Sequence, residues 1–146
     1  MKAIVAILAT TVVSVALSSA PAASMDSQAE HSAASRASYG LQAEKVARAG
    51  NCQSVRNRSD GGRYAYSALV CDLRGHRVSI LTFKSEDQEV IWLALTCAFF
   101  PKQWIAVARG AVVTAKDGNR AATKAARKVY GMLSVRCDLW LDSRSA

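Results

Sequence analysis

The sequence predicts an α+β fold, in which a mostly antiparallel sheet carries two helices packed on it in two layers and is stabilised by disulfides. Two pairs of apolar, β-branched segments each flank a short glycine-containing break, and each pair is followed by a helical pattern. A final segment, residues 133–142, alternates apolar and polar residues, which is typical of a half-buried strand. This alternation places Leu133 on the core face and Trp140 on the polar face.

The start of the chain has the pattern of a secretory signal peptide. Lys2 precedes an apolar stretch over residues 3–17, and small residues follow, with Ala20-Pro21-Ala22 as a candidate cleavage motif. The apolar stretch is shorter than the roughly 20 residues that a membrane-spanning helix needs. We therefore expect residues 1–24 to be a signal peptide and the mature protein to be secreted, with no transmembrane anchor.

Two further segments complete the predicted domain organisation. Residues 25–40 contain mainly Ser, Ala and charged residues without apolar periodicity, a composition typical of a flexible lead. The remaining residues 41–146 are enough for a single α+β domain and too few for two. This domain opens with residues 41–49, whose pattern predicts a short helix that ends at Gly50.

Two hairpins form the centre of the predicted sheet. Their strands are rich in aromatic and β-branched residues, and they are separated by Arg74-Gly75 in the first pair and by Gly110 in the second. The segments are residues 64–73 with 76–83 and residues 103–109 with 111–116. A short turn brings consecutive strands side by side in opposite directions, so we expect both pairs to be antiparallel.

The first hairpin leads into an apolar helix. Ser85 and Gln88 form a capping box, in which each side chain satisfies a free backbone N–H at the helix start. The helix runs to Phe100 and stops before Pro101, which cannot continue it. From Val90 onward it is apolar almost all round, so we expect it to be buried against the sheet.

A second helix follows the second hairpin, from its cap at Asn119 to Tyr130, with Gly131 placed to end it in a left-handed conformation. One face of this helix carries basic residues on neighbouring turns, while its alanines can face the sheet. The basic stripe consists of Arg120, Lys124, Arg127 and Lys128. In a chain of formal net charge +8, the stripe is a candidate for binding an anionic polymer or membrane surface. A solvated helix face explains it as well.

Four cysteines predict two disulfides in an exported protein. Alternation directs Cys137 into the core, where the apolar helix carries Cys97, and this pairing is preferred. Cys52 and Cys71 lie symmetrically about Gly61-Gly62, so a chain that doubles back there brings them together. Four cysteines allow three connectivities, and buried free thiols, with Cys97 the best candidate, are the alternative. The spacings do not fit a zinc site, and we expect no metal or cofactor.

Several short motifs extend over the predicted hairpins and helices. They are VSILTFKS over residues 78–85, WIAVARG over residues 104–110 and AARKVYG over residues 125–131. With Cys52, Cys71 and Trp92, they resemble small exported proteins of actinobacteria over about residues 52–131. The resemblance implies an α+β domain and an exported protein, and it implies no particular chemistry. Cys97, Cys137 and the final segment depart from the pattern.

The sequence favours a non-catalytic role. It contains no Gly-x-Ser-x-Gly elbow, phosphate loop or metal-binding helix motif. Glu86, Asp87 and Glu89 cluster at a helix start, where the helix dipole favours acidic residues. His76 and Asp72 lie at a hairpin turn, where an exposed histidine is ordinary. We therefore expect a secreted binding protein that engages an anionic polymer or a protein partner outside the cell.

Other functions remain open at this point. A small extracellular hydrolase would need a pocket with converging carboxylates or with His76. A hydrolase inhibitor would expose a rigid, bridge-held loop such as residues 57–63. An envelope-active toxin would need the apolar helix to be exposable rather than part of the core.

Overall fold

The structure is a computed structural model that describes residues 39–59 and 62–145. The predicted signal peptide and residues 25–38 of the predicted lead lie outside the described residues. Tyr39 and Gly40, at the end of that lead, are anchored to the domain. The Gly40 N–H donates to the carbonyl of Phe83 at 2.8 Å, and the Tyr39 hydroxyl donates to the Glu89 carboxylate at 2.8 Å.

The described residues form a six-stranded sheet and four helices. In chain order these are α1 (Ala43–Ala49), β1 (Gln53–Asn57), β2 (Ser67–Leu73), β3 (His76–Thr82), α2 (Glu86–Phe99), β4 (Trp104–Ala108), β5 (Ala111–Ala115), α3 (Arg120–Tyr130), β6 (Leu133–Arg136) and α4 (Cys137–Ser145). The strand order is β1-β2-β3-β5-β4-β6, and every neighbouring pair is antiparallel. The predicted α+β class and antiparallel sheet are confirmed.

Both predicted hairpins are present. β2 pairs with β3 in unbroken register, and the turn residues Arg74 and Gly75 have φ angles of 50° and 80°. Positive φ at both positions matches the twist of a two-residue hairpin turn. β4 pairs with β5 around Arg109-Gly110, and β3 pairs with β5, so the two hairpins share one sheet.

The sequence-predicted helix starts are confirmed by their caps. The Ser85 hydroxyl accepts the Gln88 N–H at 3.4 Å, and the Gln88 side chain accepts the Lys84 N–H at 3.1 Å. At α3, the Asn119 side chain accepts the Ala121 N–H at 2.7 Å. Gly131 ends this helix with a φ of 68°. These bonds satisfy backbone donors that have no partner inside the helix.

The alternation predicted that the final segment is one strand, and this prediction is wrong: the segment is a short strand followed by a helix. It pairs with β4 only to Arg136, opposite Trp104, because β4 begins there. The Asp138 carboxylate then accepts the Leu139 N–H at 2.8 Å, and the chain turns into α4. Trp140, predicted on the polar face, is therefore buried, and Leu133, predicted in the core, is 65% exposed. Cys137 is buried as predicted.

Helices lie on both faces of the sheet, so the arrangement is helix–sheet–helix rather than the two layers expected. The described residues form four helices where two were expected to pack on the sheet; α1 is the short helix predicted before Gly50, and α4 was not predicted. Successive strand residues point to opposite faces, and both faces are buried. The core between the sheet and α1 and α3 includes Val46, Leu69, Ile80, Val113 and Ala126. The core between the sheet and α2 and α4 includes Leu81, Leu93, Ile105, Val112 and Trp140.

Both predicted disulfides form. Cys52 is bonded to Cys71 with an S–S distance of 2.02 Å, and Cys97 is bonded to Cys137 at 2.05 Å. The first bridge lies in the cluster under α1 and α3, and the second joins α2 to α4 on the opposite face. Each face of the sheet therefore has its own covalent link, which in the chain-entropy view stabilises the fold by about 3–4 kcal/mol.

The helix α2 is not buried all round, contrary to expectation. It packs against the sheet and α4 with one side only, through the buried residues Glu89, Leu93 and Cys97. The opposite side is exposed although it is apolar, as at Leu95 and Phe99. An all-apolar sequence gives no signal for which side faces solvent, so the pattern overstated the burial. Among the described residues, no helix has the length and apolar content needed to cross a membrane.

Candidate anion-binding site

The helix α3 separates its small residues from its basic residues. The inward side is lined by buried Ala122, Ala125, Ala126 and Val129, whose short side chains let the helix lie close to the sheet. The basic stripe predicted from the sequence is on the outside, and all four of its residues are exposed. The stripe of Arg120, Lys124, Arg127 and Lys128 is thus correctly placed on the surface.

The four basic residues of the stripe differ in their surroundings. The guanidinium of Arg120 lies 4.4 Å from the centre of the Trp104 ring, a cation–π contact that holds it beside β4. Among residues 39–59 and 62–145, no carboxylate forms an ion pair with Lys124, Arg127 or Lys128. These three side chains are available to an external anion.

Lys128 contributes to a cavity of about 720 Å³ together with Arg48 and Arg74. The three cations come from separate segments: the last turn of α1, the β2–β3 turn and the last turn of α3. We call this feature the basic cavity. The sequence identified Lys128 but missed Arg48 and Arg74, because nothing in the local pattern shows that the three segments converge.

A glycine allows the two helix ends at the basic cavity to approach. A Cβ atom on Gly50, directly after α1, would clash with the Tyr130 hydroxyl oxygen at the end of α3. Only glycine fits this contact. Helix dipoles favour basic residues at helix ends, which accounts for Arg48 and Lys128. Arg74 is in a turn and has no such explanation.

One acidic residue, Asp72, also lines the basic cavity. Both of its oxygens lie 3.2 Å from the guanidinium of Arg77, so its charge is already paired. The three cations of the cavity therefore outweigh the negative charge at its wall. Such an arrangement can hold an anion electrostatically.

A second hollow of about 510 Å³ lies on the opposite face of the sheet, where α2 and α4 leave the strands uncovered. Its cations are Arg58, Arg77 and Lys116, and Arg58 donates to the Ser79 hydroxyl at 2.9 Å. Arg77 is the partner of Asp72. We call this feature the sheet hollow. No local sequence pattern indicates this hollow, because its residues come from several strands.

The acidic cluster at the start of α2 separates into two kinds of residue. Glu86 and Asp87 are exposed, as a helix start predicts, but Glu89 is buried. Its carboxylate accepts the Gly110 N–H at 2.8 Å and the Tyr39 hydroxyl at 2.8 Å. The spacing of Glu89, Leu93 and Cys97, four residues apart along the helix, was the signal that could have shown its burial.

Burial raises the pKa values of Glu89 and of its hydrogen-bond partner Tyr39. Desolvation raises the pKa of Glu89, although its hydrogen bonds from Gly110 and Tyr39 act in the opposite direction. Desolvation and the hydrogen bond to Glu89 raise the pKa of Tyr39 to about 12. Both groups line a cavity of about 350 Å³ with Glu86 and Arg144. Glu89 holds the β4–β5 turn and the start of the domain together.

The other sequence candidates are not brought together. His76 is half-buried at the start of β3, and the nearby Asp72 bonds to Arg77 instead. In the loop considered for an inhibitor, Asp60 and Gly61 lie outside the described residues. Within the described ranges, no group of three or more His, Cys, Asp or Glu side chains could hold a metal ion.

Comparison of the chain with protein-family models, with curated proteins and with solved structures finds no match. The resemblance to exported actinobacterial proteins stays a prediction. A functional assignment therefore rests on the geometry and charge of the sites described above.

Proposed function

We propose that this protein is a secreted, disulfide-stabilised binding protein that engages an anionic polymer outside the cell through the basic cavity. The observation that carries the proposal is the convergence of Arg48, Arg74 and Lys128 on one cavity whose carboxylate is already paired with Arg77. Disulfides persist in oxidising compartments, which supports an extracellular location. The apolar leader with its candidate cleavage motif supports the same location.

The basic stripe on α3 favours a polymer over a small anion. Lys128 belongs to both features, and Arg127 and Lys124 continue the positive charge along the exposed side of the helix. A rise of about 1.5 Å per residue spreads these cations over more than one helical turn. A ligand with regularly spaced negative groups can contact the cavity and the stripe together, whereas a single small anion contacts only one of them.

The alternative functions gain less support. The buried carboxylate of Glu89 is engaged by Tyr39 and Gly110, and that of Asp72 by Arg77. A hydrolase needs carboxylates that are free to exchange protons with a substrate. We therefore rank hydrolysis below binding as the proposed activity.

Neutralising the cavity tests the proposal. We expect the triple variant Arg48→Gln/Arg74→Gln/Lys128→Gln to bind heparin at least about tenfold more weakly, because several charge contacts are lost together. The matched control is Lys45→Gln/Arg63→Gln/Lys84→Gln, which removes the same charge from exposed sites outside the cavity. Affinity for heparin is measured by isothermal titration calorimetry at fixed ionic strength. Equal losses of heparin affinity in the two triple variants would show that the cavity contributes only net charge, and this result would contradict the proposal.

A further inference from the structure

The solvent-facing side of α2 lacks polar residues after its first turn. Ile91, Leu95 and Phe99 follow one another at intervals of four residues, and they are 42%, 46% and 76% exposed. Phe100, directly after the helix, is 60% exposed. We call these four residues the apolar strip. A surface helix of a soluble domain ordinarily carries polar side chains on this side, and a continuous apolar patch marks an interaction surface.

Basic residues surround the end of the apolar strip. Phe100 shares a hollow of about 440 Å³ with Lys102 and Lys116, and it also borders the sheet hollow, where Arg58 and Lys116 lie. Among the described residues that line these two hollows, Asp117 is the single carboxylate. The exposed aromatic end of the strip is therefore set in a positively charged rim.

We propose that the apolar strip docks the protein on an anionic lipid surface. Exposed Leu and Phe side chains enter the boundary between headgroups and acyl chains, and nearby lysines contact the negative headgroups. Binding of this kind needs two signals, buried apolar area and electrostatic attraction, and both meet at Phe99 and Phe100. With 14 residues, α2 lies in the plane of the interface and does not cross the bilayer.

The fold holds the strip outward. On the inner side of α2, Leu93 is buried, and Cys97 is bonded to Cys137 of α4. Glu89, also on the inner side, accepts a hydrogen bond from the Gly110 N–H in the β4–β5 turn. The helix therefore cannot rotate to hide Leu95 and Phe99 without breaking a covalent bond.

The charge of the rim favours lipid over a second copy of the chain. In a two-fold symmetric contact centred on the end of the strip, Lys102 and Lys116 would face the same residues of the other copy. The chain as a whole carries a net charge of +8, which adds to this repulsion. Anionic headgroups match both the apolar and the positive parts of the surface.

The test is co-sedimentation of the folded protein with vesicles of phosphatidylcholine, alone or mixed with phosphatidylglycerol. We expect binding to the mixed vesicles and weak binding to phosphatidylcholine alone. The variant Leu95→Gln/Phe99→Gln should bind the mixed vesicles about tenfold more weakly, because the buried apolar area is lost. The variant Lys102→Gln/Lys116→Gln should lose the preference for phosphatidylglycerol.

Controls separate the possible occupants. The variant Val55→Gln/Leu133→Gln removes two exposed apolar residues outside the strip and should bind vesicles like the wild type. Wild-type protein that stays in solution with mixed vesicles would overturn the proposal, as would full binding by Leu95→Gln/Phe99→Gln. A dimer in sedimentation velocity that this variant abolishes, without vesicle binding, would assign the strip to a second copy. The inference is independent of heparin binding, which the two strip substitutions should leave unchanged.

Discussion

At the scale of single residues, the buried carboxylate of Glu89 shows how one side chain links three parts of the chain. It connects α2 to the β4–β5 turn through Gly110 and to the start of the domain through Tyr39. The hydrogen bonds satisfy the carboxylate in part, but removal from water outweighs them, and the pKa of Glu89 is raised. The same side chain therefore organises the fold and makes its stability depend on pH.

Replacing Glu89 by Gln tests this coupling. Because the folded-state pKa of Glu89 lies above its unfolded-state value, the folded state retains the proton longer as pH rises. The stabilisation that comes from protonation of Glu89 is therefore fully present below the unfolded-state pKa, and it is lost as pH rises through the folded-state pKa. Glu89→Gln keeps an acceptor oxygen but cannot ionise, so its free energy of unfolding should decline less over this range.

Urea unfolding of the wild type and of Glu89→Gln at a series of pH values from about 4 to about 7 gives the required comparison. The wild-type curve should fall more steeply with rising pH than the variant curve. Parallel curves would mean that the ionisation of Glu89 does not contribute to the pH dependence.

At the scale of helices and strands, the sequence predicted the elements that carry local signals and missed those set by their neighbours. Ser85, Asn119 and Gly131 mark helix ends through their own side chains or backbone, so these boundaries were predictable. The strand β6 ends opposite the residue at which β4 begins, and α4 then follows, which no pattern in the segment itself encodes. The sequence likewise does not show which side of α2 is exposed, because its inner and outer sides are both apolar.

Removal of the disulfide between α2 and α4 should lower the stability of the fold and loosen α4. The variant Cys97→Ala/Cys137→Ala opens a link across a sequence separation of 40 residues. The chain-entropy view gives a loss of about 4 kcal/mol in the free energy of unfolding. The loss is measured by urea unfolding, and hydrogen exchange should show that the backbone amides of α4 lose protection.

The double variant Cys52→Ala/Cys71→Ala is the matched control, since it opens the other bridge, on the opposite face of the sheet. It should also lower the free energy of unfolding. The protection of the α4 amides, compared with that of the sheet amides, should stay unchanged. Selective loss of protection in α4 in both variants, or in neither, would contradict the separate roles given to the two bridges.

At the scale of the whole molecule, the two proposed binding surfaces are separated by the sheet. Arg48 and Lys128 of the basic cavity belong to the helices on one face, whereas the apolar strip belongs to α2 on the other. A ligand in the cavity would therefore leave the strip accessible, so the two proposed modes of binding are compatible. Net charge and cysteine content were visible in the sequence, but this division between faces was not, because it depends on strand order.

Mapping the bound polymer by NMR decides whether the basic cavity is the binding site. A heparin oligosaccharide is titrated into the folded protein, and the backbone amide signals of all assigned residues are followed. We predict that the largest shifts occur around Arg48, Arg74 and Lys128, continue along α3 to Lys124, and weaken as salt screens the charges. Shifts confined to residues outside the cavity and α3, or no saturable shifts at low salt, would contradict the proposed function.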